Sequence, residues 1–180
     1  MSGENLKSAY RSITRDHFPD SMEICFVQDG RRFIEGCANR YDVIFLDAFG
    51  AENIPYDLAT REFLDAVRKA LTPRGVVVGN LWSVSNPLYH SMVRTYQEVF
   101  DEVHIVDVRG AGNRILVALP RKRGVTRDGW ARRSAEISRQ HAFPFDMGRL
   151  VTAGHYAMDE KESRGHVLID ENKSRETAVQ

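Results

Sequence analysis

The sequence predicts an α/β protein with a mainly parallel sheet that closes in an antiparallel hairpin, and three observations point there. The stretch Tyr41 to Phe49 (Tyr-Asp-Val-Ile-Phe-Leu-Asp-Ala-Phe) holds an unbroken apolar run between two acids, with turn formers after it at Gly50 and Pro55. Such a run reads as a strand buried on both faces, the usual state of a parallel strand. Strand-like and helix-like segments alternate around it, as in strand, helix, strand units. Lastly, Val103 to Val108 and Arg114 to Leu119 are β-rich and lie close enough, across a loop containing Gly110-Ala111-Gly112-Asn113, to form a hairpin.

Taken in order, Leu6, Tyr10, Ile13 and His17 recur at helical spacing, which predicts an amphipathic helix over 5–17 stopped near Pro19. Glu23 to Val27 reads as a short buried strand ending in the turn Gln28-Asp29-Gly30, and Phe33, Ile34 and Cys37 mark one face of a short helix. The strand Val43 to Leu46 follows. Over 59–71, Phe63, Ala66, Val67, Ala70 and Leu71 share a helical face, and Thr72-Pro73-Arg74-Gly75 is expected to break the helix. Val76 to Leu81 is the next buried strand, with Asn80 and Trp82 at its carboxyl end. Asn86-Pro87 predicts a helix start, since the asparagine side chain can accept an orphan amide and proline has none to lose. Tyr89, Met92, Val93, Tyr96 and Phe100 mark that helix's buried face. Beyond the basic cluster Arg121-Lys122-Arg123 the chain turns polar, with a helix expected around Asp128 to Gln140. The expected organisation is a core domain over 1–120, a helical and irregular extension over 121–171, and a disordered tail over 172–180.

Composition narrows the function classes. With 180 residues, 42% of them hydrophobic, the chain can build one domain with a sizeable core. A formal net charge of zero gives no global pull toward nucleic acid or an anionic membrane, so neither is expected as a partner. Cys25 and Cys37 read as reduced thiols of a cytoplasmic protein, and neither a signal-peptide core nor a membrane-length apolar run occurs. The histidines show no metal spacing, so no metal is expected. Ser83 and Ser85 lack a nucleophile elbow, and no Gly-rich phosphate loop is present.

Chemistry is expected at one edge of the sheet. If the strands are parallel, Asp29, Asp47 and Asn80 all sit at carboxyl ends, where open α/β sheets bind ligands. Two carboxylates in a cleft can hold an amine or a ribose and adenine edge, and one can act as general base. Each acid singly reads more readily as a turn or cap residue, and the three polar strand ends together bring the two readings level.

Several of these residues also carry a resemblance. Asp29-Gly30-Arg31-Arg32-Phe33-Ile34, Tyr41 to Phe49, Ile54-Pro55, Leu58, Thr60-Arg61-Glu62-Phe63 and Leu71-Thr72-Pro73-Arg74-Gly75-Val76 together resemble the spermidine synthase (polyamine aminopropyltransferase) family. The likeness covers about residues 10 to 120. It implies a Rossmann-like fold of the class I S-adenosylmethionine-dependent methyltransferase type. Aminopropyl transfer from decarboxylated S-adenosylmethionine to an amine would be the activity. Asp29, with Gly30 beside it, matches the acid that contacts the adenine, and Asp47 matches the acid that deprotonates the attacking amine. Gly50 stands where the family's motif has its second acid. The family's first strand, Gly-rich loop and ribose-binding acid have no counterpart in these residues, so a truncated sheet is expected. Either the Glu23 strand then moves to pair beside Val43, or a second copy or another chain completes the sheet, or the sequence is a truncated product of a longer gene. The resemblance implies a small-molecule amine or nucleoside ligand, and decarboxylated S-adenosylmethionine or S-adenosylmethionine as cosubstrate in place of a permanently bound cofactor. A methyltransferase-like protein and a noncatalytic interaction module remain the alternative expectations.

Overall fold

The computed structural model describes residues 27–48, 54–83, 86–108, 110, 112–158 and 160–173. The helix expected over 5–17, most of the strand expected from Glu23 and most of the expected tail lie outside them. The chain divides into two compact units, Met1–Gly36 and Cys37–Gln180.

In the first unit, Asp29 opens the helix α1 (Gly30–Glu35) by accepting a hydrogen bond from the Arg32 amide at 2.9 Å. A side-chain acceptor there satisfies one of the helix's orphan amides. Gly36 ends the helix, so Cys37 lies beyond the face that it was expected to share with Phe33 and Ile34.

The second unit is a mixed sheet. Its strands are β1 (Tyr41–Leu46), β2 (Leu71–Trp82), β3 (Glu102–Asp107), β4 (Asn113–Leu119) and β5 (His155–Ala157), in the order β1-β2-β4-β3-β5. β1 and β2 run parallel, and the pairs β2–β4, β3–β4 and β3–β5 are antiparallel. The expected β3–β4 hairpin forms, and β4 inserts between β2 and β3. The α/β class follows the sequence expectation, but the sheet is not mainly parallel among the described strands, because β4 inserts antiparallel to β2 and β5 pairs antiparallel to β3.

Three details depart from it. β1 is a strand but is not buried on both faces: among the described residues it is the outermost strand of the sheet, with Val43 45% and Phe45 72% exposed. Second, Thr72-Pro73-Arg74-Gly75 does not separate helix from strand. Leu71 already pairs with Tyr41, and the register then shifts so that Val43 meets Val76. The Pro-containing segment is thus a bulge within β2, where a missing amide donor is tolerated. Third, the extension contributes a strand: β5 joins β3.

Helices cover one face of the sheet. On β2, Gly75, Val77, Gly79 and Leu81 are buried and alternate with half-exposed neighbours, the period of a one-sided strand. Helix α2 (Arg61–Lys69), capped by Thr60, buries Phe63, Leu64 and Val67. Helix α3 (Tyr89–Val99) buries Tyr89, Met92, Val93 and Tyr96, as its spacing predicts. Asn86 accepts the Leu88 amide at 3.0 Å and so shapes the turn that leads into α3. Gly79 is needed where it stands, because an added Cβ would lie 2.8 Å from the Tyr96 hydroxyl.

On the far side, α4 (Arg127–Gln140) and α5 (Met147–Gly154) pack together, and α5 leads directly into β5. His104 Nε2 lies 2.6 Å from Glu102, and its Nδ1 lies 3.1 Å from His155 Nε2. Burial, with His104 and Arg127 nearby, pushes the His155 imidazole below its ordinary pKa. The next segment straps the helices down. Leu168 is fully buried, its amide donates to Thr95 Oγ1 at 2.9 Å, and its carbonyl accepts the Arg61 amide at 2.8 Å.

The strap also holds a half-buried carboxylate. Arg164 donates to Glu162 from its side chain and its backbone, and His90 Nδ1 lies 3.1 Å away. Arg164 first, then His90, hold this carboxyl down at about 2, against an ordinary 4.5. A depressed carboxylate stabilises the fold above its unfolded pKa and loses that contribution as pH falls through the folded value. In Glu162→Gln the acid limb of the melting-temperature profile, between about pH 4.5 and about pH 2, should therefore flatten. An acid limb of unchanged slope would count against the assignment.

Candidate functional site

The carboxyl end of β1 brings together a carboxylate and two amides. Leu46 is in register with Gly79, which sets the residues that follow them, Asp47 just past β1 and Asn80 within β2, side by side. Asn80 Nδ2 donates to Asp47 Oδ1 at 3.1 Å. On the other side of β2, Trp82 is in register with Asn113, the first residue of β4. Asn113 Nδ2 donates to Asn80 Oδ1 at 2.7 Å. The result is a polar chain, Asn113 to Asn80 to Asp47, across three adjacent strands.

Asp47 is exposed while Asn80 and Asn113 are half-buried. A carboxylate has more acceptor sites than one bond uses, so Asp47 can still take a proton or hold an amine. Trp82, 43% exposed, lies beside this chain, and its ring crosses Gly112 so closely that an added Cβ there would sit 2.8 Å from the indole. Ser83 ties the loop after β2 to the turn before β4, donating to the Gly112 carbonyl from its amide at 2.8 Å and its hydroxyl at 3.0 Å.

Of the residues singled out from sequence, Asp47 and Asn80 are thus in direct contact. Asp29 and Gly30 belong to the first unit and are described apart from them. There Asp29 is an exposed helix cap, and the space where a Cβ at Gly30 would point is open to 4 Å. Asn113 is the site residue that sequence reasoning missed. It stands at the end of a hairpin loop, and nothing local shows that β4 will lie against β2. Among the described residues no group of three or more His, Cys, Asp or Glu is placed to hold a metal, and no helix is long and apolar enough to cross a membrane.

The architecture has solved counterparts. A probable spermidine synthase from Corynebacterium glutamicum superposes with a TM-score of 0.61 over 90% of this chain and 61% of its own, at 21% identity. A spermidine synthase in complex with the transition state analogue AdoDATO superposes with a TM-score of 0.54 over 67% of this chain and 44% of its own, at 18% identity. With human methyltransferase-like protein 13 also superposing at a TM-score of 0.53 over 65% of this chain and 59% of its own, at 24% identity, the fold is a Rossmann-like, methyltransferase-like α/β fold over the residues covered.

Sequence comparison gives the relationship within that class. The polyamine aminopropyltransferase of Vibrio vulnificus is 41% identical over 81 residues, which are 44% of this chain and 27% of that protein. That of Chromobacterium violaceum is 27% identical over 144 residues, 78% of this chain and 53% of the relative. No protein-family model matches. Over the matched residues the chain is similar to polyamine aminopropyltransferases, and it spans about a quarter to a half of the length of these relatives.

Proposed function

We propose that the chain serves a transferase of the aminopropyltransferase type, with Asp47 as the base that activates the amine. The observation that carries this reading is the placement of Asp47. It is an exposed carboxylate at the carboxyl end of a parallel strand, held by Asn80, in a chain related to polyamine aminopropyltransferases.

The chemistry needs such a group. A polyamine nitrogen is protonated near neutral pH and cannot attack until that proton leaves. Asp47 accepts the proton, directly or through a water. The freed nitrogen lone pair then forms a bond to the propyl carbon next to the sulfonium of decarboxylated S-adenosylmethionine. The breaking carbon–sulfur bond leaves its electrons on sulfur, giving methylthioadenosine; the new secondary amine keeps its charge as an ammonium, and Asp47 passes the proton it took to solvent.

Asp29 is the proposed adenine contact. Its cap bond to the Arg32 amide leaves acceptor capacity for an adenine amino group, and the open space at Gly30 lets a ring approach the backbone. Gly50, standing where the family's motif has a second acid, removes one anchor for the far end of a polyamine. A short acceptor amine is therefore favoured over a long one.

Titration calorimetry with methylthioadenosine and with S-adenosylmethionine tests the reading. Heat with methylthioadenosine, abolished in Asp29→Ala, is the expected result. Heat with S-adenosylmethionine alone would instead favour methyl transfer, and silence with both would leave a noncatalytic module.

A further inference from the structure

The geometry points to Asn113 as a positioning residue for Asp47, acting through Asn80. The inference rests on the proposed role of Asp47 and adds a residue that no local pattern marks.

An asparagine side chain has a donor end and an acceptor end of nearly the same shape, so a half-turn about its last bond exchanges them. For Asn80 the two orientations have opposite consequences. With its nitrogen toward Asp47 it donates to Oδ1, as found. Turned over, its carbonyl oxygen would face a carboxylate that can only accept. The same half-turn would bring the Asn80 nitrogen against the Asn113 nitrogen, replacing the 2.7 Å bond with two opposed donors. Asn113 therefore holds Asn80 in the orientation that serves Asp47. By donating to the Asn80 carbonyl it also polarises the amide and strengthens the opposite N–H as a donor. Asp47 is exposed and sits just past the end of β1, so its direction depends on this bond more than on packing.

The chain of bonds has a polarity that a substitution can reverse. Asn113→Leu keeps the approximate size and removes the donor. Asn113→Asp keeps the shape but presents only acceptors, which pull the Asn80 nitrogen away from Asp47. If Asn113 merely filled space, the aspartate would be the milder change. If it positions Asn80, the aspartate is the more damaging one.

The test has two arms. In NMR spectra, the Asn80 side-chain amide resonances, assigned by their loss in Asn80→Leu, should shift in Asn113→Leu and shift further in Asn113→Asp. Unmoved resonances in both variants would overturn the proposal whether or not the protein has transferase activity. In the aminopropyl-transfer assay, Asn113→Leu should lower kcat/KM about tenfold, with KM little changed and the melting temperature near wild type. Asn113→Asp should lower it more. In an Asn80→Leu background neither substitution should cost anything further, since the intermediary is gone. Full additivity there would overturn the relay. An inactive protein with Asp47 intact would defeat the transferase reading alone, and the NMR arm would still decide the role of Asn113.

Discussion

Asp47→Asn should lower kcat for aminopropyl transfer by about a hundredfold or more while leaving methylthioadenosine affinity unchanged, as expected for loss of a positioned base. The substitution preserves shape and can keep a carbonyl oxygen for Asn80 to donate to, so the β1 end should stay in place. What it removes is the ability to take a proton from the amine. Single-turnover rates with an amine acceptor, followed across pH, provide the measurement. A rate equal to wild type would remove Asp47 from the mechanism, and a loss of methylthioadenosine binding would recast it as a ligand contact.

The second large effect concerns the strap. Leu168→Ala should destabilise the fold by about 2–5 kcal/mol, the range for truncating a fully buried leucine, and lower the melting temperature by roughly 5–15 °C. Leu168 has no exposed surface, and its backbone bonds reach both Thr95 on α3 and Arg61 at the start of α2. Its removal leaves a cavity under a segment whose neighbours cannot all collapse. Gly165→Ala makes an independent check, because an added Cβ would lie 2.3 Å from the His90 carbonyl, which is backbone and cannot rotate aside. Thermal unfolding followed by circular dichroism would read both. Near-wild-type melting in both variants would show that the strap does not hold the helices.

Legibility in the sequence varied with the range of the determining interaction. The buried face of α3 and the β3–β4 hairpin were each written in local spacing, because helical periodicity and close strand spacing act within a few residues. The bulge at Thr72 to Gly75 was misread for a related reason. Proline and glycine announce an interruption, but whether it interrupts a helix or a strand depends on Leu71 finding Tyr41 across the sheet. β5 was missed because three residues, His155 to Ala157, show no alternation, and their strand character comes from pairing with β3.

For the site, the residue type and strand end of Asp47 and Asn80 were readable, as was the likeness of residues 10 to 120 to the aminopropyltransferases. The cap bond of Asp29 was among the readings its local sequence allowed. Asn113 was not readable, because its bond to Asn80 exists through the strand order β2-β4-β3.

Local sequence carries the α/β class, the buried face of α3 and the presence of an acid where β1 ends. These follow from forces that act over a few residues: backbone preference, capping and the spacing of apolar side chains. Long-range pairing leaves β1 outermost among the described strands, makes the extension supply β5 and a strap, and lines two asparagines up behind Asp47. Each of these depends on which strands become neighbours, and strand pairing joins residues that the chain keeps far apart.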